Sequence, residues 1–162
     1  YDINHKGVVR NLKTEDYINE SDFCVEILGR HIEPQKVNIK GAPIIVAGGY
    51  GMGSKENFAL LHELAEVIGG EVGATRAAVD AGFTEMERQI GQTGITVRPK
   101  LYIACGISGA VQHRAGMDQS AKIISINTDP NAPINSIADY TIIGDVMDVL
   151  PKMIKSYKSN ML

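Results

Sequence analysis

The stretch LYIACGISGAVQH, residues 101–113, begins with an uninterrupted apolar run and ends in glycines, a hydroxyl and a histidine. An apolar run without polar alternation is typical of a strand that is covered on both faces of a parallel sheet. A strand that passes through a glycine-rich turn into a helix leaves backbone N–H groups free to bind an anion. The stretch therefore predicts an α/β domain with a ligand site at the carboxyl end of this strand. A simple connecting turn is the alternative, because Gly-Ser-Gly turns are common.

The same order of apolar run, turn and amphipathic stretch recurs on both sides of this segment. Strands are predicted at residues 44–47, 101–104, 123–126 and 140–143, with a further short strand from Glu71. Since the main runs lack polar alternation, we predict a mainly parallel, doubly wound sheet with helices on both faces.

Two longer helices are expected between the strands and at the end of the chain. The first is predicted over residues 54–68, with Ser54 as its N-cap and a Gly-Gly pair after it. The second is predicted over about residues 145–157, where Pro151 is tolerated only near the first turn.

The first forty residues are of mixed charge and contain one apolar run, residues 23–28, which is predicted as an edge strand. Residues 30–43 are punctuated by proline and glycine and are interpreted as a linker. We therefore divide the chain into an N-terminal extension with its linker, 1–40, and a ligand-binding domain, 41–162. The first residue is Tyr1 rather than Met, which favours a piece of a longer protein.

The composition of the chain limits the classes of partner that it is expected to bind. The chain has 162 residues, 44% of them hydrophobic, and a formal net charge of -3. Without a basic field, nucleic acid and anionic membrane surfaces are not expected as partners. No apolar run is long enough to span a bilayer, and the N-terminal stretch lacks the apolar region of a signal peptide. We predict a cytoplasmic location.

The cysteines and histidines do not predict a metal site. Cys24 and Cys105 lie far apart without a CxxC motif, so both are expected to be buried thiols. The segment HELAE at 62–66 lacks the second histidine of a zinc-protease HExxH motif and is interpreted as a solvated helix face.

Several turns fall at the carboxyl ends of the predicted strands, which meet at one edge of a parallel sheet. Loop 88–100, RQIGQTGITVRPK, is predicted to fold over a ligand there, with an ordinary surface connection as the alternative. The turn GGYGMGS, residues 48–54, is a second phosphate-loop candidate, or else a tight packing turn. It is not followed by a convincing acidic residue, so a standard dinucleotide site is doubtful. The polar groups expected to meet are Arg76, Gln92, Thr93, Ser108, His113, Asn127 and Asp145.

This set contains one cation, one titratable ring and several neutral hydrogen-bonding groups. It has no activated nucleophile and no paired carboxylates, so it is suited to holding a cofactor rather than attacking a substrate.

From residue 44 to its end, the chain resembles the α subunit of electron transfer flavoproteins, also called the FixB type. Residues 101–127, LYIACGISGAVQHRAGMDQSAKIISIN, look like the signature stretch of that family. TRAAVDAGF at 75–83, GQTG at 91–94 and NTDPNAPI at 127–134 match other family blocks in the same order. The resemblance implies the C-terminal FAD-binding domain, with a deoxyhypusine-synthase-like FAD/NAD-binding fold, and it implies that the N-terminal domain of the subunit is missing.

What the resemblance implies is an electron carrier rather than a stand-alone enzyme. Non-covalently bound FAD would take electrons from a flavin dehydrogenase and pass them to a redox acceptor, in a complex with a β subunit. The implied cofactor-binding residues are Tyr50, Gly51, Thr75, Arg76, Gln89, Gln92, Thr93, Gly94, Gly106, Ile107, Ser108, Gly109, Ala110, Gln112, His113, Asn127, Thr128, Asp129 and Asp145.

The resemblance also implies the part of FAD that each residue contacts. Arg76 and Thr75, the latter in place of a more usual serine, would lie against the isoalloxazine ring. Thr93 would reach its N4 or N5 edge, with the two glutamines of the same loop beside it. His113 would face the pyrimidine carbonyl, and Ser108 and its neighbours would meet the ribityl-pyrophosphate region.

Asn127 and Asp145 would take the adenosine end of the cofactor. This sequence departs from the family at Tyr50, where many relatives have Arg, and at Thr128, where Lys is frequent. Both changes remove positive charge near the cofactor.

Two other functions stay open on the sequence alone. One is an enzyme domain of the same fold that binds NAD or thiamine diphosphate. The other is an interaction module that no longer binds a cofactor, which Tyr50 makes conceivable.

Overall fold

A computed structural model describes residues 38–160, together with residues 7, 9–13, 17–19 and 29. The chain divides into two compact units, Tyr1–Pro34 and Gln35–Leu162, and all helices and strands reported below belong to the second. The strand predicted at 23–28 lies outside the described residues, as does Cys24. The predicted division of the chain at residue 40 stays a prediction.

Five strands form one sheet. They are β1 (Ile44–Gly48), β2 (Glu71–Ala74), β3 (Leu101–Cys105), β4 (Ile123–Asn127) and β5 (Tyr140–Ile143). Their order is β2-β1-β3-β4-β5, and all neighbours pair in parallel. The predicted parallel α/β sheet is thus confirmed. Because the strand order reverses between β1 and β3, the carboxyl ends of these two strands border the crevice in which such sheets bind ligands.

The helices are α1 (Phe58–Ile68), α2 (Arg76–Asp80), α3 (Val111–Arg114) and α4 (Val146–Asn160). Helices α1 and α4 pack on one face of the sheet, in a cluster that includes the β-strand residues Val46 and Ile103. The other face, which carries Ile45 and Tyr102, is covered by irregular segments that contribute Ile90, Val97, Ile107 and Ile134, beside the short helix α3.

This double cover explains the uninterrupted apolar runs in β1 and β3. Ile45, Val46 and Ala47 are 0% exposed, and so are Tyr102 and Ala104. Successive residues of a strand point to opposite faces, so a strand between two clusters must be apolar at every position.

The predicted start of the first helix was wrong. Helix α1 begins at Phe58 rather than at Ser54, and no side chain caps it. Ser54 Oγ instead accepts a hydrogen bond from Asn57 N at 3.4 Å, so it caps a separate turn before the helix. The predicted end is confirmed, since Gly69 closes α1 in the left-handed conformation with φ +71°.

Helix α4 runs through Pro151, which lies in its second turn and not only near the first as predicted. Pro151 has no backbone N–H, so Met147 O lacks the donor that it would otherwise have four residues later, and this loss weakens the helix. Burial of Leu150 and Ile154 against the sheet offsets that loss. The helix also extends beyond the predicted end at residue 157, to Asn160.

Candidate functional site

The turns that follow β1 and β3 pack directly against each other. Gly49 N donates to Cys105 O at 2.9 Å, and Gly51 N donates to Gly106 O at 3.0 Å. A Cβ added to Gly49 would lie 2.2 Å from Gly106 O, so no larger residue fits there. These contacts support the interpretation of GGYGMGS as a packing turn, and they place both turns at the point where the strand order reverses.

The turn from β3 into α3 presents a row of free backbone donors. Gly106 and Gly109 have φ of +61° and +85°, and this left-handed conformation favours glycine. Among the described residues, the backbone N–H groups of residues 107–112 donate to no other group of the chain. Consecutive N–H groups in a turn of this kind form a concave site for an anion such as a phosphate. We call residues 106–112 the donor turn.

The donor turn is braced from the neighbouring elements. Asn127 Nδ2, at the end of β4, donates to Ile107 O at 2.8 Å. Ile134 N donates to Ser108 O at 3.0 Å. The Asn127 amide oxygen accepts from Asp129 N at 2.9 Å, so the two ends of this side chain hold two loops together.

Loop 88–100 lies at the carboxyl end of β2 and against the donor turn, while its folding over a ligand stays a prediction. Ile90 N donates to Ala74 O at the end of β2, at 2.9 Å, and Gln92 N donates to Gln112 O at 2.7 Å. Within the loop, Gln89 Nε2 donates to Thr93 Oγ1 at 3.0 Å. The loop therefore forms one wall of the same site and contacts the donor turn directly.

Helix α2 supplies the cation. Thr75 is its N-cap, with Oγ1 accepting from Ala78 N at 3.4 Å, so Thr performs the local role that Ser would. Arg76 follows as the first helical residue, and its Nε lies 3.3 Å from Asp80 Oδ2. Both side chains are largely exposed, so the guanidinium lies at the rim of the site paired with a carboxylate.

His113 lies on the wall of the site with both ring nitrogens bound by the protein. Nδ1 lies 3.0 Å from Ile90 O, and Nε2 lies 3.0 Å from the hydroxyl of Tyr102. A carbonyl oxygen only accepts, so Nδ1 carries a proton and, in the neutral ring, Nε2 accepts from Tyr102. Burial lowers the pKa of His113, which the hydrogen bond to Ile90 O opposes. Contact of this ring with a flavin carbonyl stays a prediction.

These elements enclose one cleft with a volume of about 840 Å³. Most of the site residues predicted from the sequence come together on its lining. They are Tyr50, Gly51, Thr75, Arg76, Gln89, Gln92, Thr93, Gly106, Ile107, Ser108, Gly109, Ala110, Gln112, His113, Asn127 and Asp129.

Gly94, Thr128 and Asp145 are not on the lining of this cleft. Gly94 N donates to Gly91 O at 3.0 Å in a tight turn of loop 88–100. Asp145 Oδ1 accepts from Met147 N at 2.8 Å and so binds the first turn of α4. The cofactor contacts of these three residues stay predictions.

The lining also contains residues outside the predicted set, namely Gly49, Ala77, Asp80, Ile90, Gly91, Ala132 and Pro133. Asp80 had a readable signal, since it lies four positions after Arg76 and so shares a helix face with it. The apolar residues of the lining had no such signal in the sequence, because strand and helix periodicity assigns apolar residues to the core.

Tyr50 lines the cleft as an exposed aromatic ring rather than a cation. It stacks on Phe83 with ring centroids 5.9 Å apart and planes at 20°. Phe83 in turn contacts Phe58 of α1, at a centroid distance of 6.0 Å. The ring is thus held against the protein on one side.

Cys105 is buried at the end of β3, as predicted, and burial raises the pKa of its thiol to about 12. HELAE at 62–66 exposes its charged and imidazole side chains on α1, as predicted. In the described part of the chain, no group of three or more His, Cys, Asp or Glu side chains is placed to hold a metal ion. No helix there is long and apolar enough to cross a bilayer.

Comparison with known proteins gives one consistent family. The family model described as "Electron transfer flavoprotein FAD-binding domain" matches residues 38–118, which is half of the chain. The electron transfer flavoprotein subunit alpha of Thermoanaerobacterium thermosaccharolyticum is 53% identical over 148 residues, covering 91% of this chain and 45% of that protein.

Two proteins named Protein FixB are similar to the same degree. The one from Clostridium saccharobutylicum is 54% identical over 148 residues, covering 90% of this chain and 44% of that protein. The one from Azotobacter vinelandii is 56% identical over 126 residues, covering 78% of this chain and 35% of that protein. The chain spans less than half the length of these relatives.

Proposed function

The chain belongs to the electron transfer flavoprotein α-subunit family, and from that premise we propose that its cleft holds FAD and that the bound FAD carries electrons from a flavin dehydrogenase to a redox acceptor. One observation carries the proposal: the donor turn, loop 88–100 and Arg76 line a single cleft at the carboxyl ends of β1 and β3. This is the position at which parallel sheets bind dinucleotides.

The residues present fit a flavin dinucleotide. A cleft of about 840 Å³ is in the range of cofactor pockets, roughly 300–1,000 Å³. The free N–H groups of residues 107–112 suit a pyrophosphate, because backbone donors bind phosphate without a lysine. The amides and hydroxyls of Gln89, Gln92 and Thr93 suit a planar ring with several carbonyl and nitrogen acceptors.

When bound, FAD would supply a ring that accepts and releases electrons and becomes negative when reduced. The guanidinium of Arg76 stabilises negative charge that develops in the cleft, because it is the one Lys or Arg side chain that the described residues contribute to the lining. The neutral groups of loop 88–100 orient the ring without adding a second full charge. Gly49, Gly51 and Gly106 hold the two turns together, so the cleft keeps its shape.

We further propose a β subunit as the partner. The relative from Thermoanaerobacterium thermosaccharolyticum is a subunit by name, and the cleft is open, with side chains such as Tyr50 and Arg76 more than half exposed at its rim. A partner that covers the rim would exclude water and strengthen the electrostatic effect of Arg76.

The proposal is tested by titrating the purified full chain with FAD, alone and co-expressed with its β subunit, and recording the absorbance spectrum after desalting. Ala110→Glu places a carboxylate within the donor turn at an exposed position. Repulsion of the pyrophosphate is expected to weaken binding on the order of tenfold. Ala59→Glu, on the exposed side of α1, makes the same change away from the cleft and should leave binding unchanged.

The other outcomes identify the alternatives. A chain that stays colourless with its β subunit and saturating FAD contradicts the proposal. Binding of NAD or thiamine diphosphate in place of FAD would favour an enzyme domain of the same fold. Absence of binding for all three cofactors would favour an interaction module.

A further inference from the structure

Arg76 does not lie alone at the rim of the cleft. Its Nε is 3.3 Å from Asp80 Oδ2, and both residues are on the cleft lining. The two side chains are 68% and 61% exposed, so the pair faces the open cleft rather than the protein core. A carboxylate this close to a cation offsets part of its charge.

The pair is badly arranged for stabilising α2. Arg76 is the first residue of that helix and Asp80 is the last. Cations are unfavourable at a helix N-terminus and anions at a C-terminus, and an acid placed before a base is the better order for an i, i+4 pair. An exposed ion pair also contributes little to stability. The placement of these charges is therefore explained by the cleft rather than by the helix.

We propose that Asp80 is a positioning residue for Arg76, holding the guanidinium at the cleft rim and offsetting part of its charge toward a reduced flavin. The inference rests on the function proposed above and extends it to a residue that sequence reasoning missed. Asp80 thereby sets how strongly this chain favours the reduced over the oxidised cofactor.

Removing the charge of Asp80 then makes the charge of Arg76 more available. Asp80→Asn keeps the size of the side chain and one acceptor oxygen but is neutral. We expect the ratio of the oxidised to the reduced FAD dissociation constant to rise about two- to fivefold, the size of an exposed ion-pair effect. At 59 mV per factor of ten for one electron, the midpoint potential rises by about 20–40 mV.

The experiment is a spectroelectrochemical titration of the FAD-loaded full chain, with its β subunit, comparing the native chain with Asp80→Asn. Glu66→Gln, a neutralised acid on the exposed side of α1, is the matched control and should not shift the potential. The same measurement on Arg76→Ala and on the double variant Arg76→Ala/Asp80→Asn tests whether Asp80 acts through Arg76. The shift caused by Asp80→Asn should fall by at least half when Arg76 is absent.

Two results would overturn the inference. One is an unchanged potential in Asp80→Asn, and the other is an equal shift in both backgrounds, which would mean that the carboxylate acts on the flavin directly. Failure of the native chain to bind FAD is a different result and contradicts the proposed function itself. The denaturation midpoint of each variant, measured in parallel, separates charge effects from unfolding.

Discussion

The hydroxyl of Tyr102 lies 3.0 Å from Nε2 of His113, and both side chains are buried between the sheet and loop 88–100. Burial raises the pKa of Tyr102 well above its ordinary value, so the hydroxyl stays protonated. Together with the bond from His113 Nδ1 to Ile90 O, this contact joins β3, α3 and the loop.

We expect Tyr102→Phe to lower the free energy of unfolding by about 1 kcal/mol, because it leaves Nε2 of His113 without its buried donor. Urea denaturation measures the change. Tyr140→Phe, at a side chain that is mostly exposed on β5, is the control and should change stability by less than about 0.5 kcal/mol. Equal effects of the two substitutions would show that the buried hydrogen bond contributes nothing.

Stability should depend on pH through His113. Burial lowers its pKa below the ordinary value of 6.5, so between these two values the unfolded chain binds a proton that the folded chain does not. The contribution of neutral, buried His113 to stability is therefore fully present above about pH 7 and declines as the pH falls below 6.5. We expect His113→Asn to flatten the stability profile below about pH 7, as measured by urea denaturation at each pH.

His62→Asn is the comparison for this profile. Partial burial, with Arg88 nearby, also lowers the pKa of His62, but the residue lies on the exposed side of α1. Its substitution should change the slope less than His113→Asn does. The opposite order would contradict the assignment of the pH dependence to the buried ring.

Gly109→Ala should destabilise the protein more than Gly69→Ala. Both glycines have positive φ, +85° and +71°, so alanine at either position costs about 1–2 kcal/mol in backbone strain. At Gly69 nothing lies within 4 Å of an added Cβ, whereas at Gly109 it would lie 2.4 Å from Ile134 N. Guanidinium denaturation of the two variants gives the difference. Equal losses would mean that the turn readily moves away from Ile134.

Arg76→Ala should lower the midpoint potential of bound FAD. A cation near a developing negative charge is worth about 4 kcal/mol at short range, and exposure of the side chain reduces this to roughly 1–2 kcal/mol. The corresponding shift is roughly 40–90 mV for one electron. Arg76→Lys keeps the charge and should recover part of the loss. An unchanged potential in Arg76→Ala would remove this residue from any electrostatic role.

Cys105 should be inert toward thiol reagents in the folded protein. With the pKa at about 12 and no exposed surface, the thiolate is on the order of one part in ten thousand at pH 8. In a Cys24→Ser background, a disulfide reagent is expected to modify Cys105 only at the rate of unfolding. Rapid modification without denaturant would contradict the burial of this side chain.

The sheet was readable from the sequence because its strands are short apolar runs between turn residues. The predicted strand at 140–143 coincides with β5, and the strands predicted at 44–47, 101–104 and 123–126 each end one residue before the observed ones. The start of α1 was not readable, because Ser54 is an equally good cap for a tight turn and for a helix. Periodicity distinguishes the two only once the first full turn is complete.

The cleft was readable in part for a topological reason. Residues that follow parallel strands gather at one edge, so Arg76, Thr93, Ser108 and Asn127 were expected together. The hydrogen bonds that hold the walls of the cleft in place could not be predicted from the sequence. Ile90, Tyr102 and His113 are separated by 11 to 23 residues along the chain, and no local pattern connects them.

Hydrogen bonds also join the two walls of the cleft to each other. His113 of α3 binds Ile90 O, and Gln112 O of the donor turn accepts from Gln92 N, so loop 88–100 is fastened to the opposite wall at two points. A molecule that enters meets a preorganised surface and loses little conformational entropy of the host on association. Selectivity for a ligand would then depend on its fit to these walls rather than on their movement.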